Sequence, residues 1–152
     1  MEIVHDMPSI NYHSHEYLGS HDIQDIGKSI SHHIYNKTHH EDKPAYSVGT
    51  AFHTFCLEPH KFEEEIKVVE CATRRGKVWD AAKGSGKTLI LNHEFEMIQK
   101  MFSSIQNHPK ASNIFAAGEA ELSYFWEDEK TGIGLKSRVD WTSQDYLIDL
   151  KS

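Results

Sequence analysis

From Glu119 to Ser152 the chain reads EAELSYFWEDEKTGIGLKSRVDWTSQDYLIDLKS, and side-chain character alternates along three short runs separated by polar turns. A period of two is the signature of a half-buried strand, so Glu119 to Trp126, Ile133 to Trp141 and Tyr146 to Lys151 are expected to form a three-stranded antiparallel meander. On the second run Lys136, Arg138 and Asp140 then share one face, while Leu135 and Val139 share the other. On the third, Asp149 and Lys151 share a face and Ile148 and Leu150 supply the apolar side. Two carboxylates and a lysine are thereby expected to converge.

Metal-assisted phosphodiester hydrolysis uses such a grouping. Carboxylate oxygens hold a hard divalent cation that keeps some of its waters, and a nearby lysine stabilises charge on the phosphate in the transition state. The spacing is Asp140, eight intervening residues, then Asp149-Leu150-Lys151. The same three side chains also suit the solvated outer face of a half-buried sheet, so the spacing alone leaves both readings open.

At 152 residues, with 38% apolar and 26% charged side chains, the chain suits one domain, 1–152, with a real core. No apolar run is long enough to span a bilayer, and Met1 to Asp6 lacks the layout of a signal peptide, so no membrane partner and a cytoplasmic location are expected. Cys56 and Cys71 are too few and too far apart for a disulfide framework or a Cys-rich zinc site. A formal charge of −7 argues against a protein that coats nucleic acid non-specifically, because such binding needs many cationic contacts to phosphate. A local basic track remains compatible with it, and Arg74, Arg75, Lys77, Lys136 and Arg138 are the candidates.

The N-terminal third carries histidine pairs, His13/His15, His32/His33 and His39/His40, at spacings too irregular for a tetrahedral zinc site. Ser20-His21-Asp22 reads as a helix start ahead of Ile23, Ile26, Ile30 and Ile34, predicting one helix that runs to about Lys37. A second helix is expected from Ser47, with Ala51, Phe52, Phe55 and Cys56 as its apolar stripe and Pro59 as its stop. Gly49 and His53 lie one turn apart on it, and a glycine beside a histidine allows close approach of a ligand. A third helix is expected from Asn92 to Gln106, ended by His108-Pro109, with a short helical turn after it. Ala81 to Thr88, AAKGSGKT, satisfies a relaxed phosphate-loop pattern, but no buried apolar strand precedes it, so it reads as a surface connection.

Taken together, Gly49-Thr50-Ala51-Phe52-His53, Leu57-Glu58-Pro59 and Phe62, followed in order by Glu121, Ser123, Phe125-Trp126, Thr131-Gly132, Lys136, Arg138, Asp140-Trp141 and Ile148-Asp149-Leu150-Lys151, resemble the exonuclease VIII (RecE-type) nuclease domain of the PD-(D/E)XK superfamily. The resemblance runs from about Ile23 to the last residue. It implies an α+β fold, a restriction-endonuclease-like core with N-terminal helices, and digestion of double-stranded DNA from its ends in phage or prophage recombination. It further implies Mg2+, with Mn2+ as a substitute, and as partners a homo-oligomeric ring and a single-strand annealing protein. Carried over by position, His53, Asp140, Asp149 and the carbonyl of Leu150 are the metal ligands and Lys151 the catalytic lysine. Glu121 is expected to face the same site from the first strand of the meander. In that family a helix and at least one more strand follow the D-x-K strand, whereas this sequence ends at Ser152. The expectation is therefore a domain without its closing helix and strand and with at most weak activity. The alternative to an enzyme is a non-catalytic remnant or binding module that keeps the site residues.

Overall fold

The computed structural model describes residues 1–39 and 43–151. In chain order a short strand β1 (Glu2–Val4) leads to helices α1 (Ser9–Ser14), α2 (Ser20–Lys28), α3 (Ile30–Thr38) and α4 (Pro44–Leu57). A 3-10 turn (Pro59–Lys61) and α5 (Phe62–Glu65) lead into β2 (Ile66–Val69). Then come α6 (Lys77–Ala82), a 3-10 turn (Lys83–Ser85), β3 (Thr88–Leu91), α7 (Asn92–Asn107) and α8 (Pro109–Ile114). The chain closes with β4 (Glu119–Glu127), β5 (Gly134–Thr142) and β6 (Leu147–Ile148). Among the described residues no helix is long and apolar enough to cross a membrane.

The architecture is mixed α/β. An antiparallel sheet runs in the order β1-β4-β5-β6, and a separate parallel pair joins β2 to β3. The expected meander is therefore present but extended by β1, which pairs Ile3 with Tyr124, and its third strand is cut to Leu147–Ile148. The β4–β5 hairpin is fixed by its turn. Asp128 accepts hydrogen bonds from the Thr131 backbone (2.9 Å) and hydroxyl (2.7 Å), and Gly132 takes φ +68°, a left-handed conformation in which a side chain is strained.

These bonds hold the Asp128 carboxyl below its ordinary value of 3.8. A depressed acid contributes stability above its unfolded pKa and loses it as pH falls through the folded value. Asp128→Ala is thus expected to lower the melting temperature at pH 7, with the gap to the parent closing as the pH drops below 3.8. Melting curves of both proteins across that range check it.

Two elements differ from the sequence expectation. The single helix expected to Lys37 breaks at Ser29, whose backbone is extended and whose hydroxyl accepts the His32 N–H at 3.0 Å, capping α3. The two halves fold back on each other through polar groups. Asn36 donates to Asp25 at 2.8 Å, and His32 and His33 lie 3.4 and 3.5 Å from Asp25 and Asp22. The isoleucine stripe consequently faces outward, with Ile23, Ile26, Ile30 and Ile34 all exposed. His39 stacks on Tyr35, and its neighbour His40 lies outside the described residues.

The segment read as a surface connection, Ala81 to Thr88, runs directly into a buried strand, β3, parallel to β2, with Leu89, Ile90 and Leu91 in the interior. The Gly84-Ser85-Gly86-Lys87 stretch lies between a helix and a strand, the reverse of the order a phosphate loop requires. Lys87 donates to the Glu63 carbonyl at 2.6 Å.

The main core gathers Ala51, Phe52 and Leu57 of α4, Phe62, Ile66, Ile90, Ile98 and Leu150. Phe55, Phe62, Phe95 and Phe102 contact one another around it, mostly edge to face. Because α4 is clamped by Ala51 and Phe52, both essentially inaccessible, the adjoining residue His53 has a fixed place beside the sheet.

Candidate metal centre

Three elements each contribute one donor. His53 comes from α4, Glu121 from β4 and Asp140 from β5, and one ligand atom of each lies within 4.8 Å of the other two. His53 Nδ1 is 3.7 Å from Asp140 Oδ2. All three side chains are partly buried, so they are shielded from bulk water but open to a ligand.

The local backbone explains the convergence. Glu121 stands opposite Asp140 in the register set by Ala120↔Trp141 and Leu122↔Val139, yet the two form no ladder pair. Glu121 has φ +56°, which a residue with a side chain adopts only at a cost. Asp140 is held from the other side. Its Oδ2 accepts the Leu150 N–H at 2.5 Å, while the Leu150 side chain is buried in the main core. The core thereby orients this carboxylate through one backbone bond, much as hydrogen-bonded neighbours orient metal ligands in general.

Glu121 Oε2 lies 2.6 Å from Arg138 Nε. The two form an ion pair, and Arg138 Nε and Nη1 are buried without a hydrogen bond. Burial pushes the Glu121 carboxyl above its usual range; Asp140 and Glu58 push the same way, and Arg138 and His53 oppose them. A divalent cation relieves such a crowd of buried acids, and a histidine with two carboxylates is a donor set that accepts one.

The other sequence candidates have different surroundings. Asp149 and Lys151 lie outside the three-donor group, with side chains 66% and 80% exposed, and pair with each other at 2.6 Å. β6 ends at Ile148, before either residue, and the chain then turns Leu150 inward instead of extending the ladder beside Asp140. Leu150 contributes its N–H to Asp140.

The proposed basic track does not assemble. Lys136 is buried, with Nζ donating to the carbonyls of Tyr12 (2.8 Å) and His15 (2.9 Å). Arg138 is committed to Glu121 and to the Met7 carbonyl at 2.8 Å. Arg74 makes a two-pronged pair with Glu94, at 2.8 and 2.9 Å, over the face of Trp79. Of the five, only Arg75 and Lys77 are exposed. α1 and the residues flanking it cover the β5 face that carries Lys136 and Arg138.

His53, Glu121 and Arg138 line a cavity of about 340 Å3 that also includes Gly49, Thr50, Glu58 and Lys61. Glu58 and Lys61 were given no role by the sequence. Their signal was position, since Glu58 caps the helix that carries His53 and Lys61 ends the turn after it.

No curated protein matches the chain. Residues 24–152 match the family described as PDDEXK-like domain of unknown function (DUF3799). The PDDEXK fold points to nuclease-type chemistry, and PDDEXK nucleases usually use divalent metals. With a histidine and two carboxylates convergent and a family match over most of its length, the chain belongs to this PDDEXK-like family.

Proposed function

We propose that this protein is a metal-dependent deoxyribonuclease of the exonuclease VIII type that hydrolyses phosphodiester bonds of duplex DNA at its ends. The observation that carries the reading is the convergence of His53, Glu121 and Asp140, the first two of which line one cavity. These three residues would hold Mg2+, or Mn2+ in its place. When bound, the metal supplies Lewis-acid activation of the phosphate and a water of lowered pKa. Asp140, fixed by the Leu150 N–H, sets the direction of its own carboxylate, and Arg138 offsets the charge of Glu121.

Asp149 and Lys151 are the proposed outer members of the site. They adjoin Leu150, and Asp140 already acts electrostatically on Lys151. With a metal held by His53, Glu121 and Asp140, Asp149 would add a further carboxylate ligand and Lys151 would orient the attacking water. Lys151→Ala should then lower the cleavage rate by about 10²-fold or more while leaving Mn2+ affinity unchanged. Calorimetric Mn2+ titration beside a rate measurement on linear DNA separates the two quantities.

The founding experiment compares linear with covalently closed duplex DNA, each with Mg2+ and with a chelator. Metal-dependent loss of linear DNA alone supports the reading. The exposed, mutually paired Asp149 and Lys151 favour one other reading, a module that binds DNA without cutting it. Metal and DNA binding with no cleavage of either substrate would turn the case that way.

A further inference from the structure

We propose that Lys61 is the cation of the cleft that contacts a backbone phosphate of the nucleic acid. The inference rests on the nuclease reading. A cavity lined by Glu58, Glu65 and Glu121, with Asp140 beside it, repels a polyanion unless positive charge stands at its wall. The two lysine or arginine side chains that line it are Arg138 and Lys61.

They are not equivalent. Arg138 is held by Glu121 and the Met7 carbonyl, and its Nε and Nη1 are closed off from solvent. Lys61 is 30% exposed, sits on the turn that follows α4, and donates to the Glu58 carboxylate. An ammonium has three donors on a four-carbon stem, so Lys61 can keep Glu58 or exchange it for a phosphate oxygen by rotation of the side chain. Glu58 thus parks the lysine against the cavity wall in the free protein. It also lies near enough to Glu121 for its charge to bear on that carboxyl, which places the parked lysine beside the candidate metal donors.

The test is fluorescence anisotropy of a short labelled DNA duplex with the parent chain, Lys61→Ala, Lys61→Arg and Glu58→Gln in Ca2+ over a series of KCl concentrations. Mn2+ titration of each protein runs in parallel. Lys61→Ala is expected to weaken duplex binding about tenfold and to reduce the slope of log affinity against log salt by about 1, as loss of one phosphate contact does. Lys61→Arg should restore most of the affinity, Glu58→Gln should bind at least as tightly as the parent, and both Lys61 variants should keep parental Mn2+ binding. A Lys61→Ala protein with parental affinity and slope overturns the role of Lys61 and leaves the nuclease reading standing. Loss of Mn2+ binding in that variant also overturns it, because the lysine would then act through the metal centre. A parent chain that neither binds nor cuts duplex DNA overturns both.

Discussion

Asp140→Asn is expected to lose divalent-metal binding and to reduce metal-dependent cleavage by about 10³-fold or more, on the scale seen when one preorganised electrostatic group is removed from an active site. Asp140 has two tasks in the structure. It lies within 4.8 Å of the His53 and Glu121 donors, and its Oδ2 accepts the Leu150 N–H. Alanine would remove both, leaving a buried N–H without a partner at a cost of about 1–3 kcal/mol. Asparagine removes the charge but keeps an oxygen that can accept the Leu150 bond, so the fold should survive while the metal site does not. The readout is the stabilisation that Mn2+ confers on melting. A ligand at a hundred times its Kd stabilises the native state by about 2.7 kcal/mol, which the parent should show and Asp140→Asn should not. An Asp140→Asn protein that melts like the parent and still gains stability from Mn2+ would remove Asp140 from the metal centre. Glu121→Gln should behave alike in metal binding.

Lys136→Met is expected to be the most destabilising single change on the sheet. Lys136 is 7% exposed, and its ammonium reaches the carbonyls of Tyr12 and His15 at the end of α1. Those carbonyls lie at the C-terminal end of α1, where a cation complements the helix dipole. The ammonium sits 5.0 Å from the centre of the Tyr12 ring, which adds a cation–π contact. Burial lowers the Lys136 pKa, so desolvation offsets part of the gain. Hydrogen bonds to a charged donor still leave a net loss of about 3 kcal/mol on removal. For a chain of this size that corresponds to roughly 6–12 °C in melting temperature. Methionine preserves the length and apolar stem, which isolates the ammonium. A Lys136→Met protein melting within a degree of the parent would show that this bond does not hold α1 to the sheet. Duplex affinity of the folded variant should match the parent, since the lysine is turned inward.

The elements written in local periodicity were legible before any coordinates. The β4–β5 hairpin follows from two alternating runs around an Asp-x-x-Thr-Gly turn, and α7 begins at Asn92 because Glu94 reaches back to the Leu91 N–H at 2.7 Å. Pro59 lies just beyond the end of α4, and the spacing of Ala51 and Phe52 marks its buried side. His53, Glu121 and Asp140 were likewise named from the chain alone, through the segments that resemble a known nuclease domain.

What periodicity cannot state is which face of an element is covered, and by what. The isoleucines of α2 and α3 have helical spacing but lie outside, because Ser29 caps a new helix and polar pairs hold the hairpin together on its inner side. Lys136 and Arg138 look solvent-facing along their strand. Their partners are carbonyls of Tyr12 and Met7, more than a hundred residues earlier in the chain, and only the folded chain brings the two together. The parallel pairing of β2 and β3 is non-local in the same way, with a helix and a 3-10 turn between the strands. At the site, sequence assigned residue types and strand faces. Tertiary structure set the left-handed backbone of Glu121 and used the buried Leu150 to aim Asp140, while leaving Asp149 and Lys151 outside. Those outcomes turn on packing and hydrogen bonds made across the fold, and such contacts have no period along a chain.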